Sequence, residues 1–327
     1  MLKYRVSVLV TFYNQEEHVD KALESIIAQK TEFGVKIIVG DDGSSDRTCD
    51  IVREWIQRFP DRIELHVMDR DNGVKAPGFR ASRNRINLLK FVDTDYYIFL
   101  DGDDYFCYEG KLQKQVDILD AEENSDCTAC GHNVSMLFMD GKERPFTDPE
   151  PEEGKIESGR YWKKYHFHPD SLLFRSSVIP HIDTGLLINA FNDNMVTLPA
   201  ILYGKIYYIP GCWAVYVQTN DGIWTSGENA VNLIRQILFY DLSCRIAPDM
   251  RNESLCKFGY AWNGLYKLRS SIDLTALEEY RTEAKDKQCR HAAKWLKYNE
   301  TNLFGRLSVL FDVLKVRIAT EILYRIR

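Results

Sequence analysis

Over the first hundred residues, short runs of β-branched and apolar residues alternate with stretches whose apolar positions recur at helical spacing, and few folds accommodate that alternation. Arg5 to Phe12 is a buried-strand run, and after Tyr13-Asn14 the positions Val19, Ala22, Leu23, Ile26 and Ile27 share one helical face. Val35 to Gly40 predicts a second strand, Arg47 to Phe59 a helix, Ile63 to Met68 a third strand, Ser82 to Phe91 a helix, and Tyr96 to Leu100 a fourth strand. Parallel strands joined by right-handed crossovers give a doubly wound α/β sheet. The loops after the strands then gather at the carboxyl edge, where such sheets bind ligands.

The fourth strand runs directly into Asp101-Gly102-Asp103-Asp104. Carboxylates so close together repel one another and lose solvation unless a cation neutralises them, so this strand end predicts a divalent metal site. Asp41-Asp42 after the second strand and Tyr13 after the first belong to the same edge, with Arg80, Arg83 and Arg85 close in sequence. Carboxylates for a metal, guanidinium for phosphate and a ring for a base suit a nucleoside diphosphate. No GxGxxG or GxxxxGK[ST] follows any strand, so the expectation is phosphate held by metal rather than by a glycine cradle. Asp41-Asp42-Gly43-Ser44 reads equally well as a turn leading into a helix cap. Arg80 and Arg85 read as solvated helix-face residues, and His166 and His168 as core or surface residues rather than metal ligands.

In the second half the alternation stops. Glu109 to Ala121 predicts a helix, Cys127 to Met139 a strand pair turning at Asp140-Gly141, and Asp148 to Gly154 a solvated acidic loop. A short helix near Tyr161, an apolar segment Ser171 to Phe174, a helix from Asp193 to Tyr203 and separate strands Lys205 to Ile209 and Trp213 to Gln218 follow. From Glu228 onward only helices are expected, so the boundary falls near Gly227, with a catalytic domain over 1–227 and a helical region over 228–327. Leu303 to Arg327 carries five basic residues against two acidic ones. Packing or homodimerisation is the first expectation for it, and peripheral contact with an anionic membrane the second.

A net charge of −6 without a basic stripe argues against a nucleic-acid partner. No apolar run is long enough to span a bilayer, and the short apolar start is not a secretion signal. Eight scattered cysteines fit a reducing, cytoplasmic setting, with Cys127 and Cys130 as buried thiols. The expected location is the cytoplasm, with peripheral attachment at the inner membrane face as the alternative.

Val6 to Asn14, Ile37 to Asp46, Ser82-Arg83-Asn84 and Phe99 to Asp104 stand in the order found in the family 2 inverting glycosyltransferases, which this chain resembles over roughly its first 225 positions. The resemblance implies a GT-A fold, a Rossmann-like mixed sheet flanked by helices, followed here by an all-helical C-terminal extension. It implies that Thr11, Tyr13 and Asp42 hold the nucleoside, usually uridine, and that Arg83 lies near base and phosphates. Asp101 opens the DxD pattern, and Asp103 and Asp104 reach ribose and metal, Mn2+ or Mg2+. Asp193, eleven residues before Gly204, occupies the position of the family's catalytic base, with Asn192 where an acid is usual and Val217 where an arginine is usual. Gly222 and Trp224 fall in a lid-like segment, and His166 and His168 precede the acceptor-side strand. The implied reaction moves a sugar from a nucleotide-diphosphate donor, UDP-sugar foremost, to a hydroxyl of a carbohydrate or lipid-linked oligosaccharide in cell-surface polysaccharide synthesis. Two other readings stay open: a catalytically impaired sugar-nucleotide or carbohydrate-binding protein, and a nucleotidyltransferase on a related sheet.

Overall fold

The computed structural model describes residues 3–69, 77–182, 194–219 and 229–268, together with Leu307, Phe311, Leu314, Lys315 and Ile318. The chain divides into two compact units: Met1–Tyr161, Tyr165–Asn189 and Asp193–Asp221 in one, and Trp162–Lys164, Ala190–Asn192 and Gly222–Arg327 in the other. The boundary expected near Gly227 lies outside the described residues.

The first unit opens with β1 (Tyr4–Phe12), α1 (Val19–Ile27), β2 (Gly34–Asp41), α2 (Thr48–Arg58), β3 (Ile63–Val67), α3 (Pro77–Leu88) and β4 (Tyr96–Asp101). A two-residue strand β5 (Tyr105–Phe106), α4 (Lys111–Asp120) and the long β6 (Cys127–Leu137) follow. Then come β7 (Glu143–Pro145), β8 (Gly154–Ile156), α5 (Ser158–Lys164, whose last three residues count with the second unit), β9 (Leu173–Arg175), α6 (Asn194–Leu202) and β10 (Lys205–Val217). The strands form one sheet in the order β3-β2-β1-β4-β9-β6-β10-β5, with β7 on β6 and β8 on β10. β1 to β4 are mutually parallel, as the sequence alternation predicts. Beyond β4 the sheet is mixed, because β9 runs antiparallel between β4 and β6, and β5 antiparallel to β10.

Strand alternation assigns the faces. Val6, Val8 and Val10, Ile37 and Val39, and Ile98 and Leu100 form one core with Val19, Ala22, Leu23 and Ile26 of α1, Val52 and Trp55 of α2, and Leu112, Val116 and Leu119 of α4. Each such side chain contributes about 1.5–3 kcal/mol by leaving water. On the other face α3 seats directly on β2. A Cβ on Gly40 would lie 2.2 Å from Asn84 Oδ1 and 2.9 Å from Leu88 Cδ2, and Asn84 Nδ2 donates to the Gly40 carbonyl at 2.8 Å.

Two sequence expectations change. β10 is one strand, not two, because irregular register around Cys212 carries it past Pro210-Gly211, where Gly211 takes φ 119°. The acidic loop is more than solvated charge, since Glu150 Oε1 accepts from Tyr208 Oη at 2.6 Å and from the Gly211 N–H at 2.9 Å, pinning that irregularity. Cys127 and Cys130 are buried free thiols. In the second unit α7 (Asn229–Ile246) and α8 (Arg251–Leu268) pair, and Ser254 Oγ joins Trp162 Nε1 at 2.9 Å and Ser243 Oγ at 2.9 Å in its interior.

Gly40→Ala is expected to lower the unfolding free energy by about 1–3 kcal/mol, as overpacking does. Urea denaturation measures it, and an unchanged midpoint would show that α3 does not depend on this close approach.

Candidate active site

The parallel register delivers the predicted residues to one edge. Thr11 near the end of β1 stands between Gly40 of β2 and Asp101 of β4, and Phe12 stands opposite Asp41. The Asp42 N–H donates to the Phe12 carbonyl and the Gly102 N–H to the Thr11 carbonyl, both at 3.0 Å, so the three loops leave the sheet side by side. A Cβ on Gly102 would come within 2.2 Å of Phe12 Cδ1, which is why the acidic loop turns on glycine there. Tyr13, 39% exposed, forms the outer tip.

Asp41 and Asp42 divide the work that the sequence left undecided. Asp41 closes the turn, accepting from the Ser44 N–H at 2.7 Å and from Ser44 Oγ at 2.5 Å. Asp42 is gripped by Arg80 in a two-pronged pair, Nε to Oδ2 at 2.7 Å and Nη2 to Oδ1 at 2.6 Å, with both side chains buried. One turn and a half further along α3, Arg85 is likewise buried and pairs with Asp101. The expectation that Arg80 and Arg85 are solvated is therefore corrected: α3 turns its guanidinium groups toward the strand ends, where uncompensated aspartates are costly. Arg83 is half-buried on the same helix.

Below the loops lies a denser cluster. Asp101, Asp104 and His168 each offer a ligand atom, and these atoms lie within 4.8 Å of one another. Asp103 lies outside that grouping. Asp104 is 1% exposed; its Oδ1 accepts from the Val217 N–H at 2.8 Å, and its Oδ2 is buried with no group donating to it among the described residues. Burial, with Asp170 and Asp103 nearby, pushes the Asp104 carboxyl well above the usual carboxylate range. Burial and Asp101 raise Asp103 to about 6. Asp170, fully buried, resists the same burial because the His168 imidazole stands 3.2 Å from its Oδ2, and it is held below the ordinary range. Its Oδ1 accepts from the Asp101 N–H at 3.2 Å.

Asp170 is the residue that sequence reading missed; His168, read as a core or surface residue, is buried beside it. Asp170 lies on the 3-10 turn Pro169–Ser171 that leads into β9, against β4, and His168 directly precedes that turn. Gln115 holds that turn, donating to the Ser171 carbonyl at 2.9 Å and the Cys130 carbonyl at 2.7 Å, while buried Lys111 Nζ donates to Gln115 Oε1 at 2.9 Å. Burial lowers Lys111 to about 7. Two carboxylates and an imidazole are a donor set suited to Mn2+, and the buried, undonated Asp104 Oδ2 is the atom a cation would satisfy.

Against the cluster stands an aromatic wall. His168 stacks on Tyr216 at 4.6 Å, and Phe146 lies 5.4 Å from His168, 5.7 Å from His166 and 6.3 Å from Tyr216. His166 Nδ1 is 3.2 Å from Oδ1 of Asn194, the first residue of α6. Asp193 itself, with Asn192, Gly222 and Trp224, lies outside the described residues.

The profile of "Glycosyl transferase family 2" matches residues 7–182, more than half of the chain. The chain belongs to that family. It is 28% identical over 227 residues to the uncharacterized protein Rv1520 of Mycobacterium tuberculosis H37Rv, an alignment covering 68% of this chain and 61% of that one. It is 32% identical over 100 residues to the teichoic acid poly(glycerol phosphate) polymerase of Staphylococcus epidermidis, across 31% of this chain and 13% of the polymerase. Among solved structures, S. aureus TarS 1-349 in complex with UDP-GlcNAc superposes with a TM-score of 0.63 at 15% identity, covering 97% of this chain and 90% of that one. The mannosyltransferase PcManGT of Pyrobaculum calidifontis, in complex with GDP-Man and Mn2+, gives 0.51 at 16% identity, covering 94% and 87%. This family 2 chain therefore has the GT-A fold, a mixed sheet flanked by helices.

Arg80→Met should destabilise the protein by about 3–5 kcal/mol, because it leaves a buried Asp42 unpaired. Asp42→Asn combined with Arg80→Met should cost less than the two single changes added. Urea unfolding of all three variants checks both statements, and strict additivity would show that the pair carries no coupling.

Proposed function

We propose that this chain is a metal-dependent inverting glycosyltransferase that moves a sugar from a UDP-sugar to a hydroxyl of a carbohydrate or lipid-linked oligosaccharide in cell-surface polysaccharide assembly. The observation that carries this reading is the convergence of Tyr13, Asp42, Asp101, Asp104 and His168 at one carboxyl edge of a family 2 sheet. The UDP-GlcNAc complex of TarS and the teichoic acid polymerase point in the same direction.

In this reading Thr11, Tyr13 and Asp42 hold the nucleoside, Tyr13 against the base and Asp42 at its edge. Arg80 keeps Asp42 aimed. Arg83 faces base and phosphates, and Asp103 reaches the ribose. Asp101, Asp104 and His168 would hold Mn2+ or Mg2+, extending the metal set of Asp103 and Asp104 that the sequence suggests. The bound cation would neutralise the departing diphosphate as a Lewis acid. Asp193 serves as base: the acceptor oxygen bonds to the anomeric carbon, the bond from that carbon to the diphosphate oxygen breaks on the opposite face, and the acceptor proton passes to the Asp193 carboxylate. Phe146, His166 and Tyr216 form the wall against which an acceptor sugar would rest, since a pyranose presents an apolar C–H face to a ring. The domain of 1–227 would do this chemistry in the cytoplasm. Among the described residues no helix is long and apolar enough to cross a membrane.

Asp193→Asn is expected to cut transfer by about a hundredfold or more while leaving UDP affinity unchanged, as loss of a general base does. Chelation with EDTA should abolish donor turnover, and calorimetry should show weaker UDP binding. Turnover that survives both treatments would overturn the reading, and UDP binding without any turnover would favour the impaired binding protein instead.

A further inference from the structure

Leu307, Phe311, Leu314 and Ile318 are helical and 50, 63, 53 and 49% exposed. Positions spaced by four, three and four residues share one narrow helical face, since a helix advances about 100° per residue. Lys315 is exposed at the border of the stripe, its ammonium 5.5 Å from the Phe311 ring centroid. The other large exposed apolar side chains among the described residues, Tyr13, Val67, Tyr108, Met139, Tyr203 and Tyr260, stand singly along the chain and need no common partner. A repeated stripe does need one.

Charge selects the partner. The segment 303–327 contains Arg306, Lys315, Arg317, Arg325 and Arg327 against Asp312 and Glu321, whereas the chain as a whole carries −6. The stripe therefore belongs to a net-positive segment of an otherwise acidic protein. Pairing two copies through this segment would set like charge against like. An anionic lipid surface attracts it, lets Lys and Arg reach the headgroups on their long stems, and takes the apolar side chains into the acyl boundary. We infer that the stripe Leu307, Phe311, Leu314 and Ile318 is the surface by which this protein docks on an anionic phospholipid bilayer. Attachment is peripheral and weakens with salt, since part of it is electrostatic and screened. The inference does not depend on the reaction proposed for the first unit.

Sedimentation of the full chain with vesicles of phosphatidylglycerol in phosphatidylcholine, and with vesicles of phosphatidylcholine alone, tests it. Binding to the anionic vesicles should be about tenfold tighter than to the neutral ones and should fall with added salt. The double variant Phe311→Glu/Leu314→Glu should lose about tenfold of that binding while keeping its far-UV circular dichroism and its affinity for UDP. Absence of binding to anionic vesicles would overturn the inference. So would light scattering that finds a dimer split by the double variant while vesicle binding persists.

Discussion

Four carboxylates, Asp101, Asp103, Asp104 and Asp170, share the end of β4, and the local structure is arranged to make that tolerable. Two of them are almost fully buried, where an unpaired charge costs several kcal/mol. Arg85 takes Asp101, His168 takes Asp170, and the Val217 N–H takes one oxygen of Asp104. What remains is the other Asp104 oxygen, to which no described group donates, and the burial that, with the neighbouring carboxylates, drives the Asp103 and Asp104 carboxyls upward. Protein groups thus satisfy part of the cluster and leave the Asp104 carboxyl without a positive partner among the described residues. A cation would complete it.

The same balance explains why the sheet changes character after β4. β9 is antiparallel and only three residues long, yet its pairing with β4 sets the preceding turn, with Asp170 and His168, against the end of β4. A parallel strand with a crossover helix would have brought its own loop to this edge from outside, leaving Asp101 and Asp104 more open to water. The antiparallel insertion places an imidazole and a carboxylate directly beneath them. Gln115 and Lys111 fix the turn before β9 from inside the core, so its position follows from buried hydrogen bonds rather than from loop length.

The fold was legible where local pattern decides it. Apolar periodicity located β1 to β4 and their helices within a few residues, because strand burial on both faces and one-sided helix burial leave different spacings. The site was legible where a residue follows its own strand, as Thr11, Asp42 and Asp101 do. It was not legible where partners meet through the sheet. Arg80, Asn84 and Leu88 share one face of α3, and that face is buried although two of the three are polar, so its pattern imitates a solvated surface. His168 and Asp170 lie more than sixty positions from Asp101, and the pairing of β9 with β4 brings them together. Pro210-Gly211 looked like a strand break because a positive φ and a bulge are invisible to alternation.

At the ends of β1 and β2 the loops are tied to one another as well as to the sheet. The Asn14 N–H donates to Ser44 Oγ and the Ser45 N–H to Asn14 Oδ1, both at 2.8 Å, with Asn14 held at φ 49°. The Gln15 N–H donates to Thr48 Oγ1, the Glu16 N–H to Asp46 Oδ2, and the Arg47 N–H to Glu16 Oε2. Each loop after β1 and β2 therefore supplies partners for the other, and Asp46 with Thr48 extends the network into the first turn of α2. A ligand entering between them would meet backbone that is already hydrogen-bonded, so little conformational entropy would be lost there. Tyr13, 39% exposed, stands at the rim of this network rather than inside it.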